Sequence, residues 1–344
     1  MEIEKGKVHA PELGATWLNS EPLELRGLRG RVVLVDFWDY TCVNCLRTLP
    51  YVAEWHKRYA AMGLTIIGVH TPEFSFAANE KFVRAAVERF GIRYPVVLDN
   101  GYAIWHAYAN RYWPAKYLID KDGYIRFFHF GEGDYGASEE AIQMLLREVN
   151  PAAQFPTVME PVRDTDRPGA VCYKSTPELY FGNKRGKLGN ESGFLHANEE
   201  RANEDHAGEY KLPEKIEADV VYLSGPWISR EECAKSAPTE KTPSSVLLFY
   251  TGKEVNLVAA PDGQPRTLEL LHGGEPLAEN EMGEDAKRDA AGTTIVTIDS
   301  PRMYNLVRNP GMKQKLLQLV AREHGIECYA FTFTTCTAQD DPPW

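Results

Sequence analysis

The sequence predicts an α/β domain followed by an all-β, jelly-roll-like sandwich. Three observations predict it. Up to residue 150, short apolar runs suited to buried strands alternate with helical patterns. Over residues 151–169, PAAQFPTVMEPVRDTDRPG, the composition shifts to Pro, Asp, Arg and Gly and reads as a linker. From residue 170 onward short β-type runs divided by turn residues dominate. A chain of 344 residues is also long for one core and suits two domains, here 1–150 and 170–344.

Each element has a local reason. RVVLVDFW (31–38) is an apolar run broken by one Asp, as in a strand buried on both faces. LPYVAEWHKRYAAMG (49–63) carries apolar residues at helical spacing and a terminal Gly, which extends a helix starting near Cys42. LTIIGVH (64–70) is a second buried strand, and Asn79 caps the amphipathic helix EKFVRAAVERFG. PVVLD (95–99) is a short strand and AIWHAYAN a short helix. WPAKYLIDKDGYIRFFHF (113–130) reads as two strands around a KDG turn, and Ser138 as the cap of EEAIQMLLREVN. This order predicts a mixed sheet with helices on both faces. Residues 181–213 lack an apolar period and read as loop. VVYLSGPWI, a hairpin in SVLLFYTGKEVNLVAA around Thr251–Glu254, TLELLH, TTIVTID, MYNLVR and KLLQLVAREHGIECYAFTFTT supply the strands of the sandwich.

Composition excludes several roles. A formal net charge of −11 offers no basic face for phosphates, which argues against a nucleic-acid partner. No run approaches the roughly 18 apolar residues of a membrane span. The start, MEIEKGKVHAPELG, lacks the apolar core of a signal peptide. The expectation is a cytoplasmic protein, or a mature form whose export signal has been removed.

The chemistry sits in DFWDYTCVNCLRTLP (36–50), where Cys42 and Cys45 follow a strand and open a helix. A structural zinc site needs about four ligands, and no second Cys or His pair stands at matching spacing. A redox pair needs an exposed, stabilised thiolate and a second thiol within reach. A helix N-terminus favours a Cys42 thiolate, and one turn places Cys45 on the same face. No cofactor is expected beyond a redox-active Cys42–Cys45 disulfide. The competing reading is a partner- or glycan-binding protein whose sandwich is the functional part and whose α/β domain is redox-inert.

VVLVDFWDYTCVNC resembles the thioredoxin signature of strand, Trp and Cys-x-x-Cys. Asp36, Pro50 and Trp113-Pro114 stand where that family has its buried proton-transfer Asp, its helix-kinking Pro and its cis-proline. The element over 79–110 resembles the extracytoplasmic TlpA/ResA branch. FWDYTCVNC, with TPELYFG, LSGPWI, PRMYNLVR and IECYAFTF further on, resembles the soluble C-terminal part of DipZ-type proteins. In those a thioredoxin-like domain continues into a β-sandwich resembling a carbohydrate-binding module.

The resemblance implies a thiol–disulfide oxidoreductase acting on protein dithiols and disulfides. Cys42 is the attacking thiol, Cys45 the resolving thiol and Asp36 the proton acceptor of Cys45. Trp38, Trp113 and a cis Pro114 shape the substrate surface beside the sulfurs. It also implies an external electron donor, such as a CcdA-like membrane protein or a thioredoxin, and an extracytoplasmic setting. Asp39 departs from the family pattern: an acid three residues before Cys42 disfavours the thiolate unless Arg47 offsets it. A peroxiredoxin would need Pro-x-x-x-Thr-x-x-Cys, whereas Val35 and Asp39 occupy its Pro and Thr positions.

In the second half, Trp227, Tyr250, Tyr304 and Tyr329 are either core residues or a glycan-stacking face. Cys172, Cys233, Cys328 and Cys336 are expected to be buried free thiols that do not turn over. If Cys328 and Cys336 share one straight strand they stand ~25 Å apart, so a bridge from either must reach Cys172 or Cys233. Three pairings then stay open.

Overall fold

Seven consecutive buried residues, Val32–Trp38, form strand β2 inside a six-stranded sheet. This computed structural model describes residues 8–14, 16–195 and 207–338. The chain divides into two units, 1–163 and 164–344, and the division falls inside the predicted linker.

In the first unit the sheet is built from β1 (Trp17–Leu18), β2, β3 (Leu64–His70), β4 (Val96–Leu98), β5 (Ala115–Ile119) and β6 (Ile125–Phe130), in the order β1-β4-β3-β2-β5-β6. The β2–β3 and β3–β4 pairs are parallel, and the β2–β5 and β5–β6 pairs are antiparallel. The edge strand β1 has no counterpart among the predicted strands: two residues are too few to show a period. Helices α1 (Val43–Tyr59), α2 (Glu80–Arg89) and α4 (Tyr135–Val149) cover one face, where Val32, Leu34 and Trp38 meet Val52, Trp55, Val83, Ile142 and Leu146. Val33, Val35 and Phe37 point the other way, onto α3 (Ala103–Ala107) and its neighbours. This is the period-2 alternation of a strand buried on both faces.

Two expectations are corrected here. Ser138 does not cap the last helix: α4 begins at Tyr135 after Asp134, and Ser138 lies buried inside it. The first part of the predicted linker, 151–163, packs on the first unit. The Tyr51 hydroxyl accepts the Val162 N–H at 2.9 Å, Glu139 accepts the Met159 N–H at 2.9 Å, and Phe155 and Met159 rest on the core.

The second unit is an antiparallel sheet of eleven strands around one core, with a separate two-stranded pair. The predicted hairpin at Thr251–Glu254 is instead one strand of 18 residues, Ser244–Pro261, with a bulge between Gly252 and Glu254. Likewise MYNLVR and KLLQLV belong to one strand, Arg302–Ala321. The first half of Ser244–Pro261 pairs with Val221–Ser229 and its second half with Ile326–Thr334, so it passes from one layer to the other. A bulge bends a strand without reversing it, which the turn-like Thr-Gly-Lys-Glu segment conceals. Within 181–213, Gly208–Tyr210 is a short strand, and 196–206 lie outside the described residues.

Candidate active site

Cys42 is the N-cap of α1, and its Sγ accepts the Cys45 backbone N–H at 3.2 Å. The unpaired N–H groups and positive end of the helix dipole stabilise negative charge on that sulfur. Cys42 is half-buried, while Cys45 is 1% exposed and part of the core. The two are bonded, with Cα atoms 5.2 Å apart. One helical turn thus gives an accessible sulfur and a shielded one, the asymmetry that a two-step exchange needs. Pro50 lies inside α1, where it removes one ladder N–H.

Asp36 sits between Leu34 and Trp38 on β2, facing the cluster that contains Cys45. It is 1% exposed, and neither carboxylate oxygen has a hydrogen-bond partner. Burial pushes its pKa up to about 6, against the pull of Lys116. Its β3 partner is Gly68, and the Trp38 indole and Tyr94 ring fill the space beside that glycine. A Cβ at Gly68 would stand 3.0 Å from Trp38 Nε1 and 3.1 Å from the Tyr94 ring.

Asp39 departs from its expected role. Its carboxylate turns inward and accepts the Thr41 N–H at 2.7 Å, the Thr41 hydroxyl at 2.9 Å and the Glu73 N–H. It braces the loop before Cys42. Burial raises its pKa to about 6, so it loses its charge only on mild acidification, and at neutral pH its hydrogen bonds hold a carboxylate. Arg47 does not offset it: its guanidinium pairs with Glu132 at 2.7 Å.

The Trp113–Pro114 bond is cis, and the Pro114 carbonyl accepts the Gly131 N–H at 2.8 Å. Trp113 is half-buried, donates its indole N–H to the Thr71 carbonyl at 3.0 Å, and packs with Cys42 against the same core cluster. Trp38 does not take the expected surface place: it is fully buried in the core cluster that also holds Cys45, and it offers no exposed face to a substrate. Pro114 is buried too, which leaves Trp113 as the accessible member of the expected trio.

Sequence reasoning missed Lys116. It is buried on β5 directly opposite Asp36, with Nζ 4.0 Å from Oδ1. The available signal is the one that marks Asp36, a lone charge inside an apolar strand (AKYLI), but the strand pairing is needed to join them.

Among its described residues the second unit supplies no comparable centre. Trp227, Tyr250, Tyr304 and Tyr329 are at most 6% exposed, so they present no stacking platform. The expectation of four free thiols holds for the buried Cys233 and Cys328 and fails for the other two. Cys172 is bonded to Cys336. The strand holding Cys328 ends at Thr334, and Cys336 belongs to a separate short strand facing Val171–Cys172. Cys336 and Cys172 are direct partners there, with Cα atoms 3.9 Å apart.

Comparison with known proteins agrees with this division. Residues 7–128 match the AhpC/TSA family and 176–334 the thioredoxin-like C-terminal domain family. Thiol-disulfide oxidoreductase ResA of Bacillus anthracis is 30% identical over 142 residues, covering 41% of this chain and 77% of the relative. The chain belongs to the ResA-type thiol-disulfide oxidoreductases. Protein DipZ of Mycobacterium tuberculosis is 34% identical over 329 residues, covering 94% of this chain. This chain spans 42% of the length of that DipZ relative. A thiol-disulfide isomerase from Corynebacterium glutamicum, of known structure, is 26% identical with a TM-score of 0.37, covering 40% of this chain and 96% of its own. The AhpC/TSA match does not import a peroxide loop, because Val35 and Asp39 stand in place of its Pro and Thr.

Proposed function

We propose that this protein exchanges disulfides with protein substrates through Cys42 and Cys45, with Asp36 as the proton acceptor of the resolving step. The observation that carries the reading is the asymmetric pair: Cys42 half-buried at the N-terminus of α1, and Cys45 shielded beside the buried Asp36 strand. In the reducing direction the Cys42 thiolate attacks a substrate disulfide, forming a mixed disulfide and releasing one substrate thiolate. Cys45 then loses its proton to Asp36, and its thiolate attacks the Cys42 sulfur. The Cys42–Cys45 bond forms, the second substrate thiolate leaves, and two electrons have passed to the substrate. The oxidising direction is the reverse.

Substrate cysteines reach Cys42 past Trp113, where an extended segment can lie along the chain entering β5. The likeness to the TlpA/ResA branch supports an extracytoplasmic setting and a CcdA-like membrane protein or a thioredoxin as electron donor. Among the described residues no helix is long and apolar enough to cross a membrane. Insulin reduction with dithiothreitol as electron donor tests the reading. Turnover that disappears in Cys42→Ser is expected; an inert wild type would overturn it and favour a binding protein.

A further inference from the structure

The chain holds a second disulfide that the reaction at Cys42 and Cys45 does not use. Cys172 and Cys336 are direct partners in the two-stranded pair of Val171–Cys172 and Cys336–Thr337, which stands apart from the eleven-stranded sheet. Neither cysteine belongs to the sandwich core. No residue from 164 to 175 is buried: Val171 is 48% exposed and Cys172 is exposed, while Cys336 is half-buried. The chain enters the packed body only at Thr176, which is 1% exposed. Its N–H reaches the Thr251 carbonyl at 2.9 Å, and its hydroxyl accepts the Thr251 N–H at 2.8 Å. The bond thus ties the exposed segment ahead of Thr176 to the residues just past the strand Ile326–Thr334.

A bond in that position can open without disturbing the core. Exposed disulfides have higher reduction potentials than buried structural ones and exchange more readily. A ladder of two residues is not stable by itself, so little holds these strands together once the sulfurs part. The other thiols of this unit cannot open the bond. Cys233 and Cys328 are buried, and burial pushes the Cys233 thiol up to about 12 and the Cys328 thiol higher still, so neither offers a thiolate at neutral pH. The attacking thiolate must come from elsewhere. Cys42 is of the required kind: an accessible sulfur at a helix N-terminus, with a resolving thiol one turn away.

We propose that Cys172–Cys336 is a second exchange site, an acceptor disulfide reduced by the Cys42–Cys45 dithiol of another copy of this chain. This rests on the functional reading above. The Cys42 thiolate attacks the Cys172 sulfur, the more exposed of the two. The Cys172–Cys336 bond breaks as a Cys42–Cys172 bond forms, and Cys336 leaves as a thiolate. The Thr335 hydroxyl, 3.8 Å from the Cys336 sulfur, is placed to donate to it, and water supplies its proton. Cys45 then loses its proton and attacks the Cys42 sulfur. The Cys42–Cys45 bond forms, and Cys172 leaves as a thiolate that water protonates. Two electrons have passed from the first unit of one copy to the second unit of the other. The product differs in the segment 164–175, whose cross-link to Cys336 is gone.

The test mixes two variants of the full chain. The acceptor, Cys42→Ser with Cys45→Ser, is supplied with Cys172–Cys336 oxidised. The donor, Cys172→Ser with Cys336→Ser, is supplied with Cys42 and Cys45 reduced. Alkylation and peptide mapping should find new thiols at Cys172 and Cys336 of the acceptor, one pair for each Cys42–Cys45 bond formed in the donor. With Cys45→Ser added to the donor, a Cys42–Cys172 mixed disulfide should accumulate. An acceptor that stays oxidised beside a donor that reduces insulin would overturn the proposal, as would a mixed disulfide on Cys336. Wild-type protein gives a readout that needs neither variant. In graded glutathione buffers Cys172 and Cys336 should become alkylated more than about a hundredfold faster than Cys233 and Cys328, because the bond opens locally while the buried thiols wait for global unfolding. Labelling of all four together would make the bond a structural staple and overturn the proposal. A donor inert towards insulin, with Cys172 and Cys336 still opening ahead of the buried pair, would sink the functional reading and leave the second bond an exchange site for other dithiols.

Discussion

The two units treat buried polar atoms in opposite ways. Among the described residues of the second unit nearly every one is satisfied. The Asn190 side chain takes the Leu223 N–H at 2.9 Å and donates to the Leu223 and Lys211 carbonyls at 2.8 and 2.9 Å. The Tyr250 hydroxyl meets Asn309 at 2.9 Å and His272 at 3.2 Å. Tyr304 takes the Asp299 and Ser300 N–H groups at 2.9 and 3.0 Å. Among its described residues the first unit instead leaves Asp36, Lys116, the Trp38 indole N–H, the Tyr94 hydroxyl and both His70 nitrogens without hydrogen-bond partners, and they lie on or beside the strand that leads to Cys42. Buried polar groups are normally paired because an orphan costs ~1–3 kcal/mol, so a cluster of orphans marks a place where stability has yielded to chemistry. The same contrast holds for sulfur. Burial pushes the Cys233 thiol up to about 12 and the Cys328 thiol higher still, whereas Cys42 sits on a helix N-terminus.

The sharpest way to break the contrast is at the sulfurs. Cys42→Ser should abolish insulin reduction, and Cys45→Ser should accumulate mixed disulfides on non-reducing gels, because the resolving thiol is gone. Turnover surviving in Cys42→Ser would move the chemistry elsewhere. In the second unit the Cys172→Ser, Cys336→Ser double variant should lose about 2–4 kcal/mol of stability in denaturant melts, since the bond closes a loop of sequence separation 164, with insulin reduction unchanged. Lost turnover in a folded double variant would show that this second bond takes part.

Asp36 gives a pH test. Its pKa rises from 3.8 to about 6 on folding, so the folded state binds more protons between those values. The stability it contributes is therefore fully present below pH 3.8 and is lost as pH rises through about 6. Asp36→Asn should gain on wild type across that window by up to about 3 kcal/mol, at 1.36 kcal/mol per unit, while turning over more slowly at neutral pH. A pH-independent difference in urea melts would contradict the buried-acid assignment. The smallest expected effect is Tyr250→Phe, about 1 kcal/mol from the lost hydrogen bonds, with an unchanged pH–rate profile. Any change in that profile would blur the line between the units.

What was legible in the sequence is what local physics sets. Apolar runs of period 2 and 3.6, the Asn79 cap and the Gly63 stop specify elements through residues a few positions apart. They also suffice to place Cys42 and Cys45 on the first turn of a helix after a buried strand. Asp36 was legible because one charge in an apolar strand needs an explanation wherever that strand lies. Only the tertiary structure decided what pairs across distance. The β2–β5 register sets Lys116 against Asp36, the Glu73 N–H draws the Asp39 carboxylate inward, and the Val171–Cys172 and Cys336–Thr337 strands bring two sulfurs together. The bulge that keeps Ser244–Pro261 one strand is likewise held by partners far along the chain. The physical reason is that strand register is a contact between segments, and a shift of one residue sends every side chain to the opposite face. No pattern within either segment encodes which face of its partner it will meet.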